Sequence, residues 1–370
     1  MRQRHRIGFG IALAALAVTA LATALNGNPQ PAHAGITHLV SKTKTICVGR
    51  FLIDIPLEAR FELIRPRMHG FDIATFAEPV SEFRTRLAHR EAEIRAKPDR
   101  LGGNNNLELV REIKTDRGLI GKMFVHSRTV TEGTAGNGVE IERYRYEGVA
   151  VEALVHGEGV SIDLGSDNYF PDKSENLYRL VAQLAPNPGN RIPSEPGYCI
   201  DRAYVRDPSG DDLDEQITMF AKFPSHPDVD LMLLLAAGLE PDENGLLKRG
   251  AAAESRLSIW ERFRVSRLRA AAREINGLAG EELVRRAVEQ NGVRAYSFWW
   301  EVNGTNNDVQ IPHLVFTMTT GKNRDGPVQT SMSETEALAL WDKISSSIRL
   351  RSKAPAHTRP PLMRSNPEAQ

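Results

Sequence analysis

The sequence predicts an α+β protein of two similar domains, each an antiparallel sheet with packed helices, derived from an internal duplication. The segment TICVGRFLIDIP at residues 45–56 aligns with GYCIDRAYVRDP at residues 197–208, which places Cys47 over Cys199. Strand patterns and helix patterns then follow in the same order in both halves. Residues 185–197, with four prolines and two glycines, separate the halves and predict a linker.

The first 34 residues have the pattern of a secretory signal peptide. Three arginines precede an uncharged apolar run at residues 7–25, and an A-x-A site ends at Ala34. The apolar run is also long enough to span a bilayer, so an uncleaved inner-membrane anchor is the alternative. Both interpretations export the rest of the chain, and we predict a periplasmic location.

Charge and hydropathy exclude several classes of partner. Removing residues 1–34 takes away three arginines and no acid from a balanced 47 against 47, which leaves a net charge near −3. The next most apolar run, residues 229–239, is about half the length of a membrane span. We therefore expect no nucleic-acid partner and no direct membrane binding after signal cleavage.

The exported part is long enough for two hydrophobic cores. We predict an N-terminal α+β domain at residues 35–188, a linker at residues 189–196 and a C-terminal α+β domain at residues 197–351. Residues 352–370, with four prolines and few large apolar side chains, are expected to be a disordered tail.

Two helices are predicted in each domain, and residues 277–292 of the second half are read as an additional helix. The closing helices begin with capping boxes, Asp172 with Glu175 and Ser333 with Glu336. The earlier helices place apolar residues at helical spacing, and we expect these to pack in the core. They are Phe83, Leu87 and Ile94 in the first half and Leu257, Trp260 and Phe263 in the second.

No catalytic or cofactor signature stands out. Ser161, in a segment that also holds His156, lacks the second glycine of a nucleophile elbow and lies in a strand pattern. The glycines of EGTAGNG have neither dinucleotide nor phosphate-loop spacing and predict a hairpin loop. His226, Asp228 and Asp230 could offer metal ligands, but no second histidine is near them. We expect no catalytic residue, no cofactor and no metal.

Two segments are candidates for contact with a protein partner. Asp211, Asp212 and Asp214 form an acidic cluster, which favours a solvated loop, with electrostatic docking as the alternative. Trp299 and Trp300 follow a phenylalanine in a strand pattern, and neighbouring strand residues point to opposite faces. At least one of these rings must therefore lie under a helix or at an interface.

Cys47 and Cys199 are the only cysteines. In an oxidising compartment they form either one disulfide or two separately buried thiols. Equivalent residues of two similar domains usually lie in separate cores, so a disulfide requires the first strands of both domains to lie together. The spacing in the sequence leaves both possibilities open.

Three segments resemble a known family: TKTICVGRFLIDIP, GYCIDRAYV and LWDKISSSIRLR. The chain resembles the two-domain periplasmic immunity proteins that protect bacteria from phospholipase effectors of the type VI secretion system, the family paired with the fourth class of lipase effectors. The resemblance implies a non-catalytic protein that grips a cognate phospholipase between its two domains and denies it membrane substrate. The alternatives are a periplasmic ligand-binding protein that uses the interdomain cleft and a hydrolase with an unrecognised site at Ser161 or His156.

Overall fold

The computed structural model describes residues 41–101, 103, 105–136, 141–206, 214–289 and 291–351. The predicted signal peptide at residues 1–34 and the predicted tail at residues 352–370 lie outside the described part of the chain. Within the described ranges, no helix is long and apolar enough to cross a membrane.

One antiparallel sheet of twelve strands runs through both halves of the chain. The first half contributes β3 (Arg60–Met68), β4 (Phe71–Ala77), β5 (Leu107–Lys114), β6 (Ile120–Gly136), β7 (Ile141–Gly157) and β8 (Val160–Tyr169). The second half contributes β12 (Glu215–Phe223), β13 (His226–Ala236), β14 (Val265–Ile275), β15 (Leu278–Val288), β16 (Arg294–Val302) and β17 (His313–Thr319). The order across the sheet is β14-β15-β16-β17-β13-β12-β3-β4-β8-β7-β6-β5.

The two halves of this sheet follow the same order. In each half the first strand is at the centre of the sheet, and the second, sixth, fifth, fourth and third strands follow outward. The two first strands, β3 and β12, pair antiparallel and join the halves, with Leu63 opposite Met219. Exchanging the halves leaves the order unchanged, which is the pattern that an approximate twofold axis between β3 and β12 produces.

Two small sheets each combine strands from both halves. Their strands are β1 (Thr43–Val48), β2 (Phe51–Pro56), β9 (Leu184–Pro186), β10 (Gly197–Ile200), β11 (Ala203–Arg206) and β20 (Arg349–Leu350). In one sheet, β2 pairs with β1 and also with β20 from the end of the described chain. In the other, β11 pairs with β10 and also with β9, the last strand of the first half. Each half thus completes the hairpin sheet of the other. A separate short hairpin joins β18 (Lys322–Asn323) to β19 (Gly326–Pro327).

The helices cover the two faces of the sheet unequally. On the inner face, α2 (Glu175–Gln183) and α5 (Glu334–Ser345) pack with both small sheets in a single hydrophobic core. On the outer face, α1 (Val80–Ala96) packs over β6 and β7, and α3 (Leu246–Ser255) packs over β15. The short helix α4 (Ile259–Arg264) contacts the edge strand β14.

Cys47 and Cys199 are joined in a disulfide where β1 meets β10, with their Cα atoms 5.8 Å apart. Gly49 and Cys199 exchange two backbone hydrogen bonds of 3.0 and 2.8 Å beside it. Gly49 has a φ of +56°, and a Cβ at this position would lie 3.0 Å from the Tyr198 ring, so the close approach of the strands favours glycine. The equivalent cysteines meet because both hairpins lie side by side at the junction of the halves.

Where the structure describes it, the segment at residues 277–292 does not form the predicted helix. Most of the segment is the strand β15, which pairs with β14 on one side and β16 on the other. Its charged residues have partners: Glu282 is buried, pairs with Arg273 and accepts a hydrogen bond from Trp341 Nε1 at 2.6 Å. Two hydrogen-bonded ladders therefore outweigh the helix propensity of this sequence.

The predicted helix at residues 251–263 is interrupted, and its second part is not in the core. The helix α3 ends at Ser255, and α4 begins after Ser258, whose side chain forms a capping box with Glu261. The side chains of Trp260 and Phe263 are 78% and 80% exposed, which corrects the expectation of core packing. In the first half, by contrast, α1 buries Phe83 and Ile94.

Only one of the two predicted capping boxes is present. At the start of α5, Ser333 Oγ accepts a hydrogen bond from the amide of Glu336, and the Glu336 side chain accepts one from the amide of Ser333. Asp172 instead lies in a short 3₁₀ turn, and the N-cap of α2 is Ser174, without a side-chain hydrogen bond. The turn shifts the start of α2 away from the spacing that a capping box requires.

Candidate functional site

The outer face of the sheet is least covered between α1 and α3. Seven strands, β8, β4, β3, β12, β13, β17 and β16, lie between β7 under α1 and β15 under α3. At a ladder spacing of about 4.8 Å, they span about 29 Å from the first to the last. The inner face of the same strands is buried by helices and small sheets, so this part of the outer face is the broad surface that remains for a partner.

A row of four side chains crosses the middle of this surface. Phe220, Met232, Thr317 and Trp299 stand opposite one another on β12, β13, β17 and β16. We call them the central row. Phe220 is 39% exposed, and the other three are half-buried. A row of mainly apolar side chains that solvent can reach, with an aromatic ring at each end, is typical of an interaction surface.

Trp299 is held in place by charged residues. Its Nε1 donates a hydrogen bond to Glu301 Oε2 at 3.2 Å, and Arg249 Nη2 on α3 donates to both oxygens of Glu301 at 2.7 and 2.6 Å. The next position along the row is Leu283 on β15, which is buried under α3 beside Gly250. The row is therefore solvent-exposed at its end near β3 and is bordered by α3 at its other end.

The predicted contact residues differ in their exposure and position in the structure. Trp299 belongs to the central row, whereas Trp300 is fully buried on the inner face and donates a hydrogen bond to the Arg273 carbonyl oxygen at 3.0 Å. A partner cannot reach Trp300, and this corrects its assignment as a contact. Asp214 lies at the end of the sheet, 3.4 Å from Arg67, and Asp211 and Asp212 lie outside the described residues.

Sequence reasoning missed Phe220 and Met232. A signal exists in β13, whose run LMLLLA is apolar at successive positions. A strand with only one covered face alternates apolar and polar residues, so unbroken apolarity indicates that the second face is also covered, by protein or by a partner.

A second cluster lies under α1 and includes the Ser161 and His156 that could have formed a hydrolase site. Ser161 Oγ donates to Glu78 Oε2, and His156 Nδ1 lies 3.1 Å from the same Oγ. Because the hydroxyl hydrogen is directed to Glu78, the histidine contact requires a protonated Nδ1. A nucleophilic serine must instead donate its proton to the histidine. Ser161 is also fully buried, so the arrangement is that of a structural network.

Arg86 connects this network to the sheet. Its guanidinium group donates to Glu78 at 3.0 Å and to Asp163 at 2.7 Å and lies 4.8 Å from the centre of the Phe76 ring. Burial acts to raise the pKa of Glu78, but hydrogen bonds from Arg86 and Ser161 outweigh it and hold this pKa below its usual value. Burial raises the pKa of Asp163 and lowers that of His156.

We expect His156 to make stability depend on pH near neutrality. Its pKa is lower in the folded protein, so the unfolded chain binds more protons and stability falls as the pH drops through about 6.5. Urea unfolding from about pH 8 to about pH 5 should show a steeper loss for the wild type than for His156→Gln. His89→Gln, at an exposed position of α1, should retain the wild-type slope. Equal slopes in wild type and His156→Gln would contradict this assignment.

The candidate metal ligands have structural partners. His226 Nδ1 lies 2.8 Å from Ser331 Oγ, and the buried carboxylate of Asp228 accepts backbone hydrogen bonds from Gly321 at 3.0 Å and Ser331 at 3.1 Å. Asp230 pairs with Lys222 on β12. The described residues contain no group of three or more histidine, cysteine, aspartate or glutamate side chains arranged to hold a metal ion.

Two family models match the chain in tandem. Residues 44–151 match the N-terminal domain of "Tle cognate immunity protein 4", and residues 191–353 match its C-terminal domain. No protein with a curated description matches the chain.

Solved structures of immunity proteins have a similar fold. The immunity protein TplEi of the type VI secretion system from Pseudomonas aeruginosa, solved with an "L" peptide, superposes with a TM-score of 0.65 at 24% identity over 84% of this chain and 99% of that chain. A chain of the Tle4–Tli4 complex gives a TM-score of 0.67 at 24% identity, covering 84% of this chain and 98% of that chain.

Proposed function

Because the chain belongs to the family of Tle cognate immunity protein 4, we propose that it binds and inhibits a cognate phospholipase effector in the periplasm. The observation that carries this proposal is the central row on the open part of the outer face. The row offers apolar contact area on a rigid sheet, which is what a tight protein complex requires at its centre.

We infer that the effector sits against the outer face and contacts both halves. The surface between α1 and α3 crosses the β3–β12 junction. A partner lying on it therefore touches strands of both matched domains, the N-terminal and the C-terminal. A partner held in this way would be shielded from its membrane substrate by the bulk of the immunity protein. In this arrangement, a grip between two domains means that one partner contacts strands of both halves at once.

The proposal includes the absence of catalysis and an exported location. Support for the first comes from the Ser161 hydroxyl, which is buried and directed to Glu78. Support for the second comes from the signal-like residues 1–34 and from the pairing of both cysteines, which is typical of oxidising compartments.

We also infer that the two halves derive from one duplicated unit. The matched strand order, the paired hairpins and the aligned cysteines support this origin. We place the division between the two units at the predicted linker, residues 189–196.

The alternative of a small-molecule binding protein is less well supported. β3 and β12 join the halves by a ladder with one register shift between Gln216 and Thr218, so no hinged cleft separates the halves at that point. A cavity at the junction, beside Tyr198 and Glu215, has a volume of only about 10 Å³, which is enough for at most one water molecule.

The decisive experiment uses a candidate cognate lipase, chosen as a phospholipase effector encoded next to the gene for this chain. The exported chain and the lipase, purified separately and mixed, should elute together on size exclusion, and phospholipid hydrolysis should fall as the chain is added, with an end point at a fixed stoichiometry. A lipase from an unrelated source provides the control and should stay active. Separate elution with unchanged hydrolysis would refute the proposal.

A further inference from the structure

The apolar face of α4 is exposed to solvent. Ile259, Trp260 and Phe263 are 70%, 78% and 80% exposed. Phe263 follows Ile259 by four positions and Trp260 by three, so the three side chains lie on one side of the helix. We call them the α4 knob. Three large apolar side chains in one helical turn, displayed to water, are unfavourable for an isolated protein unless they serve a contact.

The backbone under the α4 knob is fixed. The capping box between Ser258 and Glu261 closes the first turn of the helix. Arg262 then ties α4 to the end of α3, because its Nε donates to the Leu257 carbonyl oxygen at 3.1 Å and its Nη2 donates to that of Ser255 at 2.8 Å. A contact presented in one conformation loses little entropy on binding, which is how the strongest contacts of protein interfaces are built.

The charges around the knob are mainly basic. Arg256, Arg262 and Arg264 are exposed, and the one acid in this stretch, Glu261, is used in the capping box. This local excess of positive charge contrasts with the mildly acidic exported chain. A complementary surface on a partner is therefore an apolar pocket bordered by carboxylates.

We propose that the α4 knob inserts into an apolar pocket with an acidic rim on the effector, as a second contact beside the central row. This inference rests on the proposed function. The central row ends at Trp299 beside α3, and residues 256–258 connect α3 to α4. Tryptophan and arginine, the residues that dominate binding energy at protein interfaces, both occur at the knob.

The test compares Trp260→Ala together with Phe263→Ala against the wild type, by calorimetric titration of the cognate lipase. Affinity should fall about 30-fold or more, because tryptophan anchors of this kind carry a large share of binding energy. The melting temperature should stay unchanged, since neither side chain is in the core. Ile141→Ala is the matched control, because Ile141 is 79% exposed on β7 in the other half, and its affinity should remain within about twofold.

Three outcomes separate the possibilities. If the wild type does not bind the lipase, the proposed function fails. If the wild type binds and the knob variant binds equally well, this inference alone is overturned. Vesicles of phosphatidylethanolamine and phosphatidylglycerol form the last arm: if the wild type sediments with them, the knob variant does not, and lipase affinity is unchanged, the knob contacts membrane and the inference is wrong.

Discussion

Phe220→Lys combined with Thr317→Lys is expected to lower affinity for the cognate lipase by about 100-fold or more. Both residues belong to the central row, on strands β12 and β17, with Met232 between them. Two ammonium groups placed in the central row would have to lose water when the partner binds, which is among the costliest changes that an interface can undergo. Surface plasmon resonance with the immobilised lipase measures the loss.

The design keeps the fold intact. Phe220 lies directly opposite Glu62 on β3, so a lysine at this position gains a cross-strand partner of opposite charge. Leu57→Lys is the control, because Leu57 is 56% exposed in the turn between β2 and β3 and lies outside the central row. A double variant that unfolds at the wild-type temperature and binds within about threefold of the wild type would show that the effector does not use this face.

Replacing Cys47 and Cys199 by alanine is expected to lower the free energy of unfolding by about 3 to 5 kcal/mol. The bond links residues 152 positions apart, and the chain-entropy treatment of such a loop gives about 5 kcal/mol at the upper end. Both cysteines are buried beside Tyr204, so the alanines also leave an unfilled volume. Urea unfolding measured by tryptophan fluorescence gives the difference.

Reduction supplies an internal control. Dithiothreitol should shift the urea midpoint of the wild type towards that of the double alanine variant and leave the variant unmoved. Thiol titration of the unfolded wild type should find no free thiol before reduction. Equal midpoints for wild type and variant, without reductant, would contradict a stabilising role for the bond.

Much of the sheet could be read from the sequence because its signals are local. In β4 the buried Phe71 and Ile73 lie on either side of the exposed Asp72, as alternating residue types predict, and α1 follows from the spacing of Phe83 and Ile94 before a proline. The alignment of Cys47 with Cys199 predicted the same order of elements in both halves, and the strand order is the same in both. These features depend on neighbours within one element or on comparison of the chain with itself.

The errors arose where distant partners decide the local structure. Residues 277–292 are rich in helix-forming residues, but β14 and β16 hold most of them in a strand. The break before α4 does have a signal in the sequence. Ser258 and Glu261 have the spacing of a capping box, inside the segment predicted as one helix.

The central row could not be predicted for a different reason. Phe220, Met232, Thr317 and Trp299 are spread over about 100 positions of the sequence and become neighbours only through the order β12-β13-β17-β16. In that order β17, the sixth strand of the second half, pairs with β13, the second strand. No short segment of the sequence specifies this pairing. Trp299 alone was singled out, because a tryptophan pair in a strand must divide between two faces.

Each of the two small hairpin sheets combines strands from both halves, so the order of synthesis determines when each sheet can be completed. The strand β20 at Arg349–Leu350, which completes the sheet begun by β1 and β2, is made almost 300 residues after them. A chain that emerges from its N-terminus can build the β1–β2 hairpin early, but the outer edge of β2 stays unpaired until the last described residues arrive. Premature termination shortly before residue 349 would therefore leave an open strand edge in the first half, far from the cut in sequence, where a second chain could pair. We therefore expect the two halves of this chain to complete their folding together.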